Sequence, residues 1–218
     1  MLREPRRKSR YKRPFDLAVL GVAHLFPLLL PVWVLLWTFI PLAVWLEDRG
    51  SIFFRQRRVG KNGREFTFLK FRTMAPGSEV AGLVTAEDDP RVTRVGRLLR
   101  RTALDELPQV INILRGDMSF VGPRALPTDM HEDAVKQEPR FIERLSIPPG
   151  LTGVAQLYLP RHCSPRRRLG YDLLYKCKAN LWLDVRLMLR AVWNTLTGSW
   201  GMGRRRVDTE YKNGVRAS

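Results

Sequence analysis

Cysteine is scarce. The 218 residues hold only Cys163 and Cys177, too few for a disulfide scaffold. The three histidines, His24, His131 and His162, lie far apart, and no Cys/His cluster has zinc-ligand spacing. Acidic residues are outnumbered, 21 against 38 Lys and Arg. Internal repeats are absent, and so are helix-turn-helix and RNP-type signatures of nucleic-acid binding. What the chain does have is a net charge of +17, which needs a polyanionic partner: nucleic acid, an anionic membrane surface or phosphorylated substrates. Its hydrophobic content of 44% separates it from a disordered polyelectrolyte.

Formal charge is also missing from one long stretch. Residues 1–13 are strongly basic, and then Phe15 to Trp45 carries a single charge, Asp16. A secretory signal has a shorter apolar core and a small-residue cleavage site. Thirty-one residues are long for one membrane span and short for two with a turn. Pro27, Pro31 and Pro41 interrupt the run, and each removes a backbone donor. Both flanks are basic: Arg6 to Arg13 before it, then Arg49, Arg55, Arg57, Arg58 and Lys61 after it. Basic flanks stay on the cytoplasmic side. A helix–break–helix that enters the membrane and returns meets all three observations; a single tilted helix that crosses is the simpler alternative.

From Gly50 the chain turns polar. Ser51-Ile-Phe-Phe reads as a strand, Glu65 to Arg72 alternates with period two, and Gly60-Lys-Asn-Gly63 carries a turn signal, so a β-hairpin is expected over about 52–72. The Phe residues at 53, 66 and 68 are expected in the core. Residues 76–90 read as a loop. Helices are expected over 91–101 and 107–114, the latter ending at Gly116. Pro148-Pro149-Gly150 breaks the chain. Leu169 to Leu196 reads as an amphipathic helix, with Trp182 and Trp193 among basic residues as in an interfacial helix. The tail after Gly198 is basic, with Arg204, Arg205 and Arg206 in a row.

Chemistry concentrates at Asp105-Glu106. Pro108 cannot sit deep in a helix, which places Asp105 near a helix N-terminus, where dipole and free amides keep a carboxylate ionised. The same position suits phosphate oxygens, and Arg100 lies five residues upstream with a fork-shaped donor set. An N-cap Asp with a solvated Glu is the plainer account. Lys70 and Arg72 alternate on the second strand and are expected on one face. Gly122-Pro-Arg124 is a rigid turn presenting an arginine. Asp117 and Asp88-Asp89 are weaker metal candidates, since Pro90 favours a turn. Together these put basic and acidic groups beside a membrane hairpin, a combination suited to a phosphorylated, membrane-resident substrate and a divalent metal.

The motifs resemble the bacterial sugar transferases, monotopic polyprenyl-phosphate phosphoglycosyl transferases, in their small catalytic-unit form. The matching stretches are Lys12-Arg-Pro-Phe-Asp16, Phe53-Phe-Arg-Gln56, Lys70-Phe-Arg-Thr-Met74, Leu98 through Gln109 with Asn112, Gly116 through Arg124, and Pro149-Gly-Leu-Thr-Gly153 with Ala155-Gln156. The resemblance implies transfer of a phosphosugar from a nucleotide diphosphosugar, usually a UDP-sugar, to polyprenyl phosphate, giving polyprenyl diphosphosugar and UMP. It implies a covalent intermediate on Asp105, Mg²⁺ held by Asp105 and Glu106, and substrate-binding roles for Lys70, Arg72, Arg100 and Arg124. The expected setting is the bacterial inner membrane, with the catalytic domain on the cytoplasmic face and other glycan-assembly enzymes as neighbours; no specific nucleic acid is expected. Three positions depart from the family pattern. Ala125 replaces a Pro, Pro148 an Arg and Val154 a Trp. The lost arginine bears on donor binding, with Arg161 and Arg166 to Arg168 as substitutes.

The expected architecture is α+β and mostly helical, with a small hairpin or sheet. Residues 1–48 form the basic N-terminus and re-entrant helix, 49–198 the transferase domain with interfacial helices, and 199–218 a basic tail. The competing readings are a membrane-tethered module that binds anionic lipid or nucleic acid, and a non-catalytic scaffold.

Overall fold

A computed structural model describes residues 11–78, 89–160 and 163–197. The expectations for Asp88, Arg161 and the 199–218 tail fall outside them.

The apolar N-terminal stretch forms two helices, α1 (Lys12–Leu25) and α2 (Leu30–Asp48), with the break at Phe26–Leu29. Pro27 lies in the break and Pro31 in the first turn of α2, where a missing N–H costs nothing. Pro41 sits inside α2 without ending it. The two helices meet beside the break, where His24 stacks on Trp33 with ring centroids 4.1 Å apart. By length and composition α2 could cross a membrane. Both feet of this pair nevertheless rest on the same body. α1 buries Lys12, Asp16 and Leu20, and α2 buries Ile40 and Val44. Between the feet, large apolar side chains are bare, with Leu25 and Leu28 each 79% exposed.

The foot of α1 is held by charge. Lys12 Nζ donates to Asp184 (2.9 Å) and to the Val121 carbonyl (2.7 Å). Asp16 accepts from Ser119 Oγ (3.0 Å) and from the Phe120 amide (3.1 Å). At the far foot, Glu47 accepts from the first amides of the next helix at Arg94 and Val95, and Asp48 binds the Arg72 guanidinium through both oxygens.

The hairpin is antiparallel, β1 (Phe53–Val59) with β2 (Glu65–Phe71), Gln56 opposite Phe68. Its turn uses left-handed conformations at Asn62 and Gly63, the conformations Asn-Gly adopts most readily. Helix α3 (Arg94–Thr102) starts at Thr93, whose side chain accepts from the Gly96 amide. Next come a single 3-10 turn (Leu104–Glu106) and α4 (Gln109–Arg115), which ends at Gly116 with φ +85°. A short parallel pair that the sequence pattern did not reveal, β3 (Ser119–Val121) with β4 (Gly150–Thr152), brackets α5 (Thr128–Gln137) and a 3-10 stretch over Pro139–Ser146. Helix α6 (Val154–Tyr158) follows. The single helix expected over 169–196 is two, α7 (Pro165–Lys178) and α8 (Leu181–Leu196). Asn180 caps α8 by accepting from the Leu183 amide, so the chain restarts there instead of running through.

One core packs Leu20 of α1 against Phe66, Phe68, Ile113 and Met118. Another packs Ile40 and Val44 of α2 against Phe71 and Leu99. Phe53, expected in the core, is partly buried at the second of these. Helix α3 lies directly on the strand exit, and a Cβ on Gly96 would fall 2.2 Å from the Thr73 carbonyl oxygen. Gly96→Ala is therefore expected to cost about 1–3 kcal/mol as α3 lifts away. Thermal unfolding reads this directly, and an unchanged midpoint would count against the tight seat.

Candidate active site

Asp105 occupies the 3-10 turn between α3 and α4 and is buried. The helix N-terminus expected for it lies further on, because Ala103 closes α3 in the left-handed region (φ +55°) and a separate turn intervenes before Gln109. A non-glycine residue at positive φ one position before the turn is local strain of the kind found at functional sites.

Lys70, on β2, brings its ammonium to 3.8 Å from Asp105 Oδ2. Burial pushes the Asp105 carboxyl up to about 6, the neighbouring Glu106 charge adds to the rise, and Lys70 and Arg100 pull it back. The sequence reading expected a carboxylate stabilised by a helix dipole. Here burial and a like charge work against ionisation, and two cations hold it within the neutral range. Burial also lowers the Lys70 ammonium, a shift that Asp105 opposes and Arg100 reinforces.

Arg100 is oriented by Thr73, whose hydroxyl accepts from Nε at 2.8 Å. The Lys70-Phe-Arg-Thr73 run thus divides its work. Lys70 faces the carboxylate, Phe71 fills the core, and Thr73 steers Arg100. Arg72 corrects the expectation of a shared face. β2 ends at Phe71, so the alternation stops, and the Arg72 guanidinium is committed to Asp48 and the Ser51 and Val44 carbonyls. It ties the strand exit to α2 and has no place beside Asp105.

Asn112 anchors β2 from α4. Fully buried, it accepts from the Leu69 amide (3.1 Å) and donates to the Thr67 carbonyl (2.8 Å), satisfying the strand edge left free by β1. This bond pair fixes Lys70 relative to the turn carrying Asp105. Arg124 is exposed, and its carbonyl accepts from Arg144. Its turn rests on the Pro148–Gly153 segment backbone to backbone, since a Cβ on Gly122 would lie 2.4 Å from the Pro148 oxygen.

Arg58 is the residue that sequence reasoning passed over as part of a basic flank. It is buried on β1, donates to Gln56 and to the Ala125 carbonyl, and lies 3.6 Å from the Phe68 ring centroid. Burial and the Arg124 charge lower it to about 9, while Glu106 raises it. It therefore links the Arg124 turn electrostatically to the acid pair. The signal available was an arginine two positions from a glutamine on a strand.

Asp117 lies beyond the α4 cap near Asn112, and Asp89 is paired with Arg91 (2.7 Å). Neither joins Asp105. Pro148 lines a separate cavity of about 150 Å³ with Lys12, Arg13, Asp16, Lys61, Gly116 and Met118. Among the described residues, no group of three or more His, Cys, Asp or Glu is placed to hold a metal. The adjacent Asp105 and Glu106 still fit Mg²⁺, which takes one or two carboxylates and completes its shell with phosphate oxygens and water.

A family model described as bacterial sugar transferase matches residues 7–198. The chain is 37% identical, over 86% of its length, to UDP-N-acetylgalactosamine-undecaprenyl-phosphate N-acetylgalactosaminephosphotransferase of Aeromonas hydrophila, of which the match covers 44%. It is 38% identical, over 79% of its length, to UDP-glucose:undecaprenyl-phosphate glucose-1-phosphate transferase of Xanthomonas campestris pv. campestris, covering 36% of that protein. It is 35% identical to exopolysaccharide production protein PSS of Rhizobium leguminosarum bv. phaseoli, with 87% of this chain and 97% of the relative aligned. The chain thus spans less than half of the first two relatives.

Proposed function

The chain belongs to the bacterial sugar transferase family, and we propose that it moves a phosphosugar from a UDP-sugar to polyprenyl phosphate, undecaprenyl phosphate in a bacterial membrane. The observation that carries this reading is Asp105. It is a buried carboxylate in a strained turn, with an ammonium at 3.8 Å, an adjacent acid and an arginine held by its own hydroxyl partner.

In the proposed reaction, an Asp105 carboxylate oxygen attacks the sugar-linked phosphorus of the donor. The bond from that phosphorus to the bridging oxygen breaks, UMP leaves with that oxygen, and the phosphosugar remains on Asp105 as an acyl phosphate. A phosphate oxygen of the lipid then attacks the same phosphorus, the bond to Asp105 breaks and the carboxylate is restored. Lys70 and Arg100 balance the diphosphate's negative charge so that a carboxylate can approach it. Arg58, whose charge acts on Glu106 and on Lys70, and the exposed Arg124 add further positive potential. When bound at Asp105 and Glu106, Mg²⁺ supplies further neutralisation of the phosphate charge.

Membrane seating belongs to the same proposal. With both feet on one body and bare apolar side chains between them, α1 and α2 enter and leave one leaflet, the cytoplasmic leaflet of the inner membrane. The relatives' names differ in the sugar, N-acetylgalactosamine in one and glucose in another, so the sugar is left open.

The test is UMP release by the full chain in detergent, with Mg²⁺, undecaprenyl phosphate and a panel of UDP-sugars. Steady release is expected to need lipid and metal. Without lipid, a burst of about one UMP per protein is expected from a two-step route. Folded protein that releases no UMP from any UDP-sugar would overturn the donor assignment. Release with lipid but no burst without it would remove the covalent intermediate.

A further inference from the structure

Five exposed arginines that the proposed reaction leaves unused lie on two neighbouring helices, α3 and α8. On α3, Arg94, Arg97 and Arg101 are exposed around Leu98, which is 62% exposed, at the spacing of one helical face. On α8, Trp182, Arg186, Leu189, Arg190, Trp193 and Leu196 are all exposed and recur every three or four residues. Helix α3 packs against both α2 and α8, so the three elements are neighbours. At the end of α2, Arg49 lies 4.2 Å from the Trp45 ring centroid. The acids on α2 and α8 are already committed. Glu47 caps α3, Asp48 holds Arg72, and Asp184 holds Lys12. None of the five exposed arginines, Arg94, Arg97, Arg101, Arg186 and Arg190, has an ion pair among the described residues.

A water-facing helix does not need two exposed tryptophans, and a purely apolar anchor does not need five exposed arginines. Both together match a surface that sinks its apolar side chains to headgroup depth and meets lipid phosphates with guanidinium groups. Helix α3 also packs against α2, the second helix of the apolar hairpin. We infer that the α3–α8 face is a docking surface for anionic phospholipid, so that the protein selects negatively charged leaflets and is not merely anchored by its hairpin. This rests on the membrane seating proposed above and goes beyond it by naming the lipid class.

The test is flotation of the full chain with two kinds of vesicle, phosphatidylcholine alone and phosphatidylcholine doped with phosphatidylglycerol. Wild type is expected to prefer the doped vesicles, with the preference fading as salt rises. An Arg97→Gln/Arg101→Gln/Arg190→Gln variant is expected to lose about 100-fold of its partitioning to doped vesicles and little to neutral ones. Its UMP release in detergent should stay at the wild-type level, since none of the three faces Asp105; this keeps failure of the lipid surface apart from failure of the catalytic reading. A Leu98→Ser/Trp193→Ser variant, which keeps the hairpin, should partition more weakly than wild type to both vesicle types. Equal partitioning of wild type to both vesicles, or a triple variant indistinguishable from it, would overturn the inference. So would a triple variant that keeps its lipid preference but loses binding to an unrelated duplex RNA, which would reassign the surface to nucleic acid.

Discussion

Asp105→Asn is expected to lower turnover by about ten-thousand-fold or more, while the chain still folds and still associates with membranes. The amide has the same shape but cannot form the acyl phosphate that the proposed route requires. A second signature runs the other way. The carboxyl rises from 3.8 to about 6 in the folded protein. Between those values the folded state holds a proton that the unfolded chain has released. Stability therefore falls as pH climbs through that window, by about 3 kcal/mol in full above it. Asparagine carries no such penalty. Measured without divalent metal, the variant should melt above wild type at neutral pH and draw level near pH 4. Wild-type turnover in the variant would remove Asp105 from the nucleophile role. An unchanged melting difference across the pH range would mean that the Asp105 carboxyl is not raised on folding.

The second large effect lies away from the site. Asp184, 1% exposed, accepts from Lys12 (2.9 Å), Tyr175 (2.6 Å) and Tyr11 (2.9 Å). Asp184→Leu is expected to cost about 3–5 kcal/mol, because it strands a buried ammonium. Replacing both partners, Lys12→Met with Asp184→Leu, should recover most of that, since a well-packed apolar pair can match a buried ion pair. Denaturant unfolding in detergent reads both variants. A single variant costing less than about 1 kcal/mol, or a double variant no better than the single, would show that the ion pair is not what seats α1.

The hairpin was legible because its two signals, period-two alternation and Asn-Gly, are local. The break near Pro27 and the helix stop at Gly116 were legible for the same reason. The α7–α8 division was not. Ala179-Asn180 offers neither Gly nor Pro, and the restart depends on one amide accepted by Asn180. The β3–β4 pair has three residues a side, too few for a period to show. At the site, the Lys70-Phe-Arg-Thr-Met74 stretch and the run from Leu98 to Arg124 pointed to Lys70, Arg100, Asp105 and Glu106, and the fold brings these four together. They could not place Arg72, whose partner Asp48 lies 24 positions upstream, nor find Arg58, whose role depends on Phe68 and the Ala125 carbonyl across the fold. Nor could sequence show that Asp105 is buried, the fact that sets its protonation.

The far end of α2 holds two neighbouring acids that grip different partners. Glu47 grips the helix that carries Arg100, and Asp48 grips the arginine at the exit of the strand that carries Lys70. The two cations flanking the carboxylate therefore share one mounting. In the membrane seating proposed above, a shift of the hairpin would reach both cations through that one mounting. Their spacing would then be set by α2 rather than by the bilayer, as two instruments on one gimbal keep their alignment while the deck pitches.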